Sequence, residues 1–142
     1  VVDEAGEYED WVELVNRGDA PIDLSGYALS DDPYDPFAFR LPAGSVALGV
    51  LLLVWCDGDT TQGPLHAPFR LDKDGDRVVL SDATSIVDQI DTGVLATDIS
   101  LGRTTDGAET WDFCARPSPG RANACGGSLP VPVRAFLPWG VR

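Results

Sequence analysis

The sequence predicts an all-β protein, an immunoglobulin-like β-sandwich of about eight or nine short strands. Three observations lead there. Short alternating or apolar runs recur along the chain, each bounded by Gly, Pro, Asn or Asp. No window places apolar residues at i, i+3, i+4 and i+7 without a Pro or Gly interruption, so helix signals are nearly absent. The turn segments return at the short, regular spacing of a sandwich. The Cys-Trp-Cys spacing of antibody domains is not present, so the likeness is to the architecture alone.

Each element follows from its local pattern. Trp11–Asn16 alternates, with Val12 and Leu14 on one face and Glu13 on the other. Arg17–Pro21 is a turn. Leu24–Ser30 reads as the next strand, with Tyr27 and Leu29 on one face. Asp31–Pro36 is a loop, because its two prolines cannot donate to a ladder. Phe37–Leu41 reads as a short strand. Val50–Trp55 is a continuous apolar run, which predicts a strand buried on both faces. Asp57–Pro64 is a loop. Phe69–Leu71 and Arg77–Ser81 flank Asp72–Asp76 and predict a hairpin with Asp74-Gly75 at its tip. Ser85–Ile90 reads as a further strand. Ser100–Arg103 and Thr110–Cys114 flank Asp106-Gly107 and predict a second hairpin. The sandwich is expected over residues 1–125, with 126–142 as a linker or tail, since Gly126–Pro132 has linker composition.

Composition limits the function classes. The chain has 142 residues, 44% of them apolar, enough for a packed core. The longest uncharged apolar stretch, about Val46 to Cys56, is too short and Gly-interrupted to span a bilayer. No signal peptide is visible at the start. There is no Met, even at position 1, which suggests a processed product or an excised piece. The formal net charge is −13. Residues 1–36 hold 11 acids against one base, Arg17, whereas 113–142 hold four arginines and no acid. Such an acidic surface repels phosphate backbones, so nucleic acid is disfavoured as a partner.

The later landmarks form an ordered set with the opening strands. Asp10-Trp11-Val12-Glu13-Leu14-Val15-Asn16 resembles the opening strand of the lamin tail domain family. Leu24-Ser25-Gly26-Tyr27 resembles its element of Leu, a small residue, Gly and an aromatic, with Tyr where Trp is usual. Phe39-Arg40-Leu41-Pro42 resembles its aromatic-x-Phe-Pro segment, with Leu41 for Phe. Leu53-Val54-Trp55 resembles its apolar run ending in Trp. The segment from Arg116 to Asn123 resembles the Thr-Pro-Gly-x-x-Asn close of bacterial members, with Ser118 for Thr. The resemblance covers about residues 8 to 123, and its specificity lies in the order of motifs. Members usually carry an Asn-Glu-containing strand upstream of the Trp-x-Glu-Leu motif. Only an acidic, polar stretch stands there in this chain, so the resemblance implies that the first strand is missing and an edge is unpaired. Eukaryotic members sit in nuclear lamins. Bacterial members sit in secreted or surface proteins, often beside catalytic domains, and this chain resembles the bacterial kind. The family has no recognised catalytic residues.

The candidate chemistry is sparse. Trp11, Tyr27, Trp55 and Trp111 could make a sugar-binding platform, but strand aromatics more often pack in a core. Asp72, Asp74 and Asp76 do not fit a calcium-binding EF-hand, because Gly75 stands between the second and third Asp and position 83 is Ala. A turn with Gly75 at positive φ accounts for them better. Asp31, Asp32 and Asp35, or Asp57 and Asp59, could offer carboxylates to calcium, although loop aspartates commonly cap turns. His66, the only histidine, has no nucleophile motif to serve and reads as structural. Cys56 reads as a small buried hydrophobe. Cys114 and Cys125 bracket a Pro-rich loop and could form a disulfide. No CxxC occurs, so no zinc site is expected.

The sequence therefore predicts a non-enzymatic interaction or accessory module of a larger extracellular or cell-surface protein. No catalytic, cofactor-binding or metal-binding residue is assigned. Its expected partners are a protein or cell-surface component and the neighbouring domains of a longer chain. The alternative is a calcium-dependent or carbohydrate-binding β-sandwich.

Overall fold

The computed structural model describes residues 1–123 and 125; the expected linker, 126–142, lies outside them. Among the described residues ten strands run in chain order: β1 (Trp11–Val15), β2 (Ile22–Asp23), β3 (Ala28–Ser30), β4 (Phe39–Arg40), β5 (Ser45–Val46), β6 (Leu51–Trp55), β7 (Arg77–Ser81), β8 (Ile86–Asp91), β9 (Ser100–Arg103) and β10 (Trp111–Cys114). The described residues hold no helix beyond one 3-10 turn, Leu24–Gly26. None of their helices is long and apolar enough to cross a membrane. The chain divides into two compact units, one from Val1 to Val94 and one beginning at Leu95.

The first unit is an immunoglobulin-like sandwich of antiparallel sheets. One sheet has four strands in the order β4-β3-β7-β8. A second pairs β1 with β6, with Trp11 opposite Trp55 and Val15 opposite Leu51. A small third pairs β2 with β5. The core between them holds Leu29, Leu41, Val54, Cys56, Ala67 and Val78, all buried, with Val12, Leu14, Leu24, Tyr27 and Phe69 packed against it. The alternation of β1 is thus realised as read, with Val12 and Leu14 turned inward. β3 is the central element: Ala28, Leu29 and Ser30 are all buried between β4 and β7.

Several local readings are corrected by tertiary pairing. Leu24–Ser30 is not one strand. Its first half is the 3-10 turn, capped by Asp23, whose carboxylate accepts a hydrogen bond from the Ser25 N–H at 3.0 Å. Val50–Trp55 is not buried on both faces. Val50 is 46% exposed and only Val54 and Trp55 are buried, because β6 belongs to a two-stranded ribbon and enters the core at its end. Phe69–Leu71 forms no strand and the 72–76 turn joins no hairpin. Instead β7 pairs with β8 through the Asp82–Ser85 turn, and with β3 on its other side. Gly75 does take the positive φ expected of it, +119°. Among the described residues β1 has β6 as its one strand partner. Upstream, Val2 and Tyr8 form a single bridge that closes a tight hairpin.

In the second unit β9 pairs with β10 in the predicted hairpin, Ser100 opposite Cys114. Arg103 lies over the Trp111 ring, 4.4 Å from its centroid. Cys114 and Cys125 are joined as a disulfide. Cys56, in the first unit, is a fully buried free thiol, and burial pushes its pKa up.

Candidate functional site

Two loops of the first unit bring three buried polar side chains together. The first is the N-terminal hairpin. Its turn is held by Asp3 N–H to Glu7 O at 3.0 Å and Gly6 N–H to Asp3 O at 3.2 Å. Gly6, at φ +87°, supplies the conformation that closes it. The Asp3 carboxylate turns inward and is 7% exposed. Its Oδ1 accepts the Glu7 N–H at 2.9 Å, whereas its buried Oδ2 has no hydrogen-bond partner.

The second loop leaves β6 and returns to it. Trp55 N–H donates to Leu65 O at 2.9 Å and Ala67 N–H donates to Trp55 O at 2.7 Å, which sets His66 beside Trp55. The two rings stack at 6.4 Å between centroids, 28° from parallel. Asp57 stands just past the buried end of β6, beyond Cys56, and is 1% exposed. Its Oδ1 accepts the Asp59 N–H at 2.8 Å, and its Oδ2 is hydrogen-bonded to His66 Nδ1. His66 is itself buried. On the solvent side, Glu4 Oε2 stands 3.7 Å from His66 Nε2. Gln62 Nε2 donates to Glu7 Oε2 at 3.1 Å and so ties the second loop to the hairpin. One donor atom from each of Asp3, Asp57 and His66 lies within 4.8 Å of the others. Chemically the group offers an imidazole and two carboxylates in one buried place.

The candidate aspartates fall into different roles. Asp57 and Asp59 share a loop but face apart: Asp57 meets His66, while Asp59 Oδ1 accepts both the N–H and the hydroxyl of Thr61. Those Thr61 bonds, the hydroxyl first, hold the Asp59 carboxyl below its usual pKa. Asp32 Oδ1 accepts the Tyr34 N–H at 2.8 Å. Asp72 Oδ1 accepts the Asp74 N–H at 2.8 Å, and Asp76 Oδ2 accepts the Asp72 N–H at 2.7 Å. All are turn caps. Of the candidate aromatics, Trp55 is 5% exposed and Tyr27 packs on the core. Sequence reasoning missed Asp3 altogether and saw Asp57 and His66 as separate residues. No local motif links them, because the three are assembled by strand pairing.

Asn16, at the end of the opening motif, is also buried, at 5% exposure. Its Nδ2 donates to Ala20 O and Val46 O, both at 2.9 Å, and its Oδ1 accepts the Gly18 N–H at 2.9 Å. It therefore joins the turn after β1 to β5.

The family model for the lamin tail domain matches residues 1–93. The chain belongs to the lamin tail domain family. No curated protein and no solved structure gave a significant match. Lamin tail domains are immunoglobulin-like and non-enzymatic, in keeping with the sandwich of the first unit. The match ends where that unit ends, so the motif-like segment from Arg116 to Asn123 lies beyond it. Asp3, Asp57, His66 and Asn16 all lie inside the lamin tail domain stretch.

Proposed function

We infer that this lamin tail domain is an interaction or accessory module of a larger extracellular or cell-surface protein of the bacterial kind. Its partner would be a protein or cell-surface component rather than a nucleic acid. The family match over the whole first unit carries the reading, since the family is non-enzymatic. Three further observations support it. The formal net charge of −13 opposes phosphate backbones. The Cys114–Cys125 disulfide suits an oxidising compartment. Tyr34 and Tyr8 are 96% and 82% exposed on loops, where amphipathic rings make good contact residues.

A binding assay tests the reading. Fluorescently labelled chain is mixed with envelope preparations from the source cells and separated by sedimentation. Saturable retention that drops several-fold in a Tyr8→Ala, Tyr34→Ala double variant is the expected result. Retention no greater than that of an unrelated acidic β-sandwich would refute it.

A further inference from the structure

We propose that Asp3, Asp57 and His66 form a binding site for one divalent transition-metal ion of the zinc type. The donor atoms are already gathered. Two ligands bonded to a shared tetrahedral zinc at about 2.0–2.1 Å stand roughly 3.4 Å apart. Atoms that lie within 4.8 Å of one another need only small side-chain adjustments to reach that spacing.

An independent observation points to a ligand. Asp3 Oδ2 is buried and has no hydrogen-bond partner, which is costly for a carboxylate oxygen. The group is fixed in place, because its Oδ1 is tied to the Glu7 N–H. Asp3 cannot simply turn out to water while the hairpin keeps its shape.

The charge balance agrees. Asp57 and Asp3 are 1% and 7% exposed, so two carboxylates sit largely away from water. One imidazolium offsets a single negative charge; a dication offsets both. The donor types set the class of ion. Calcium and magnesium take oxygen ligands, whereas an imidazole nitrogen beside carboxylates suits zinc and its neighbours. Glu4, with Oε2 3.7 Å from His66 Nε2 and its side chain 82% exposed, stands on the side from which an ion would enter. The bound ion would staple the N-terminal hairpin to the 57–66 loop, adding to the Gln62–Glu7 hydrogen bond and the Glu4–His66 contact that already join them.

The inference is independent of the interaction role and has its own test. The full chain is stripped with a chelator and titrated with ZnCl2 in a calorimeter. About one equivalent is expected to bind with micromolar or tighter affinity. The melting temperature should rise by about 5–10 °C at a hundredfold excess over Kd, and CaCl2 at about millimolar concentration should leave it unchanged. Asp3→Asn keeps an acceptor for the Glu7 N–H and should weaken zinc binding at least tenfold. His66→Gln should do the same. Asp74→Asn, on the exposed 72–76 turn, should not. CoCl2 should give visible d–d absorption that Asp3→Asn abolishes. If His66→Gln disturbs the fold by circular dichroism, the Asp3→Asn and cobalt results decide. Zinc affinity unchanged in Asp3→Asn, or no binding to the wild-type chain, overturns the proposal and leaves Asp57–His66 as a purely structural pair.

Discussion

Asn16 offers the sharpest test of how the family motif works. Its side chain makes three hydrogen bonds: two donated to Ala20 O and Val46 O, one accepted from the Gly18 N–H. Its backbone carbonyl accepts a fourth, from the Gly49 N–H at 2.9 Å. Asn16→Ala removes the three side-chain bonds. At about 1 kcal/mol each, with the bond to Val46 O lost inside the fold but Gly18 and Ala20 open to water, the cost is about 2–3 kcal/mol. Asn16→Asp keeps the shape and reverses the chemistry. At neutral pH a carboxylate oxygen would face two carbonyl oxygens that now sit 2.9 Å from a donor. Repulsion and an uncompensated buried charge should add about 1–2 kcal/mol beyond the alanine variant. That excess should narrow on acidification, as the introduced carboxyl protonates and donates to one carbonyl. Urea unfolding followed by tryptophan fluorescence measures both variants. A cost below about 1 kcal/mol for Asn16→Ala, or an aspartate variant no worse than the alanine one, would refute the reasoning.

Three other outcomes are expected. Leu29→Ala, at the fully buried centre of β3, removes the equivalent of three methylenes and leaves a cavity, so denaturant unfolding should show a loss of about 3–4 kcal/mol. Leu48→Ala, at a residue 60% exposed, should stay within about 0.5 kcal/mol of wild type; similar costs for the two would contradict the assigned core. Gly75→Ala must hold a positive φ and bring a Cβ to 3.2 Å from the Gly93 carbonyl carbon, so its midpoint should fall clearly below that of Gly26→Ala, whose added Cβ meets nothing within 4 Å. The Asp82 carboxyl is held below its usual pKa by the Thr84 N–H first, then the Thr84 hydroxyl and the Ser85 N–H. A depressed folded-state pKa contributes stability that is present above about pH 4 and is lost as pH falls through the depressed value. The melting-temperature gap between wild type and Asp82→Ala should therefore close on acidification, and a gap constant from neutral to acid pH would count against it.

What was legible in the sequence was what depends on neighbours in the chain. Val12 and Leu14 alternate with Glu13, and both apolar residues face the core. Asp106-Gly107 sits between two runs, and those runs pair. Gly75 takes the positive φ that its turn requires. What failed depends on distant partners. Arg77–Ser81 had an obvious neighbour in Phe69–Leu71, yet it pairs with β3, which local pattern cannot reveal. The apolar run of β6 looked doubly buried because composition does not show that its sheet has two strands. Leu24-Ser25-Gly26 read as extended, but a capping carboxylate at Asp23 favoured a 3-10 turn. The Asp3, Asp57 and His66 cluster had no signature, because Asp57 and His66 stand at opposite ends of one loop, Asp3 lies on another, and the three meet only after the hairpin closes. Asn16 was visible as a motif residue, but its burial and its three bonds were not.

The gathering of Asp3, Asp57 and His66 in one buried place is what the proposed ion site rests on. The chain has a single histidine, so its ring nitrogens can be observed without ambiguity by long-range proton–nitrogen correlation spectroscopy. In chelator-stripped protein the expected spectrum is that of an imidazole whose Nδ1 is held in a hydrogen bond to Asp57. One equivalent of ZnCl2 should move one ring nitrogen to a metal-bound shift, and Asp3→Asn should suppress that change. Ring-nitrogen shifts that do not respond to zinc, in the wild-type chain as in Asp3→Asn, would overturn it.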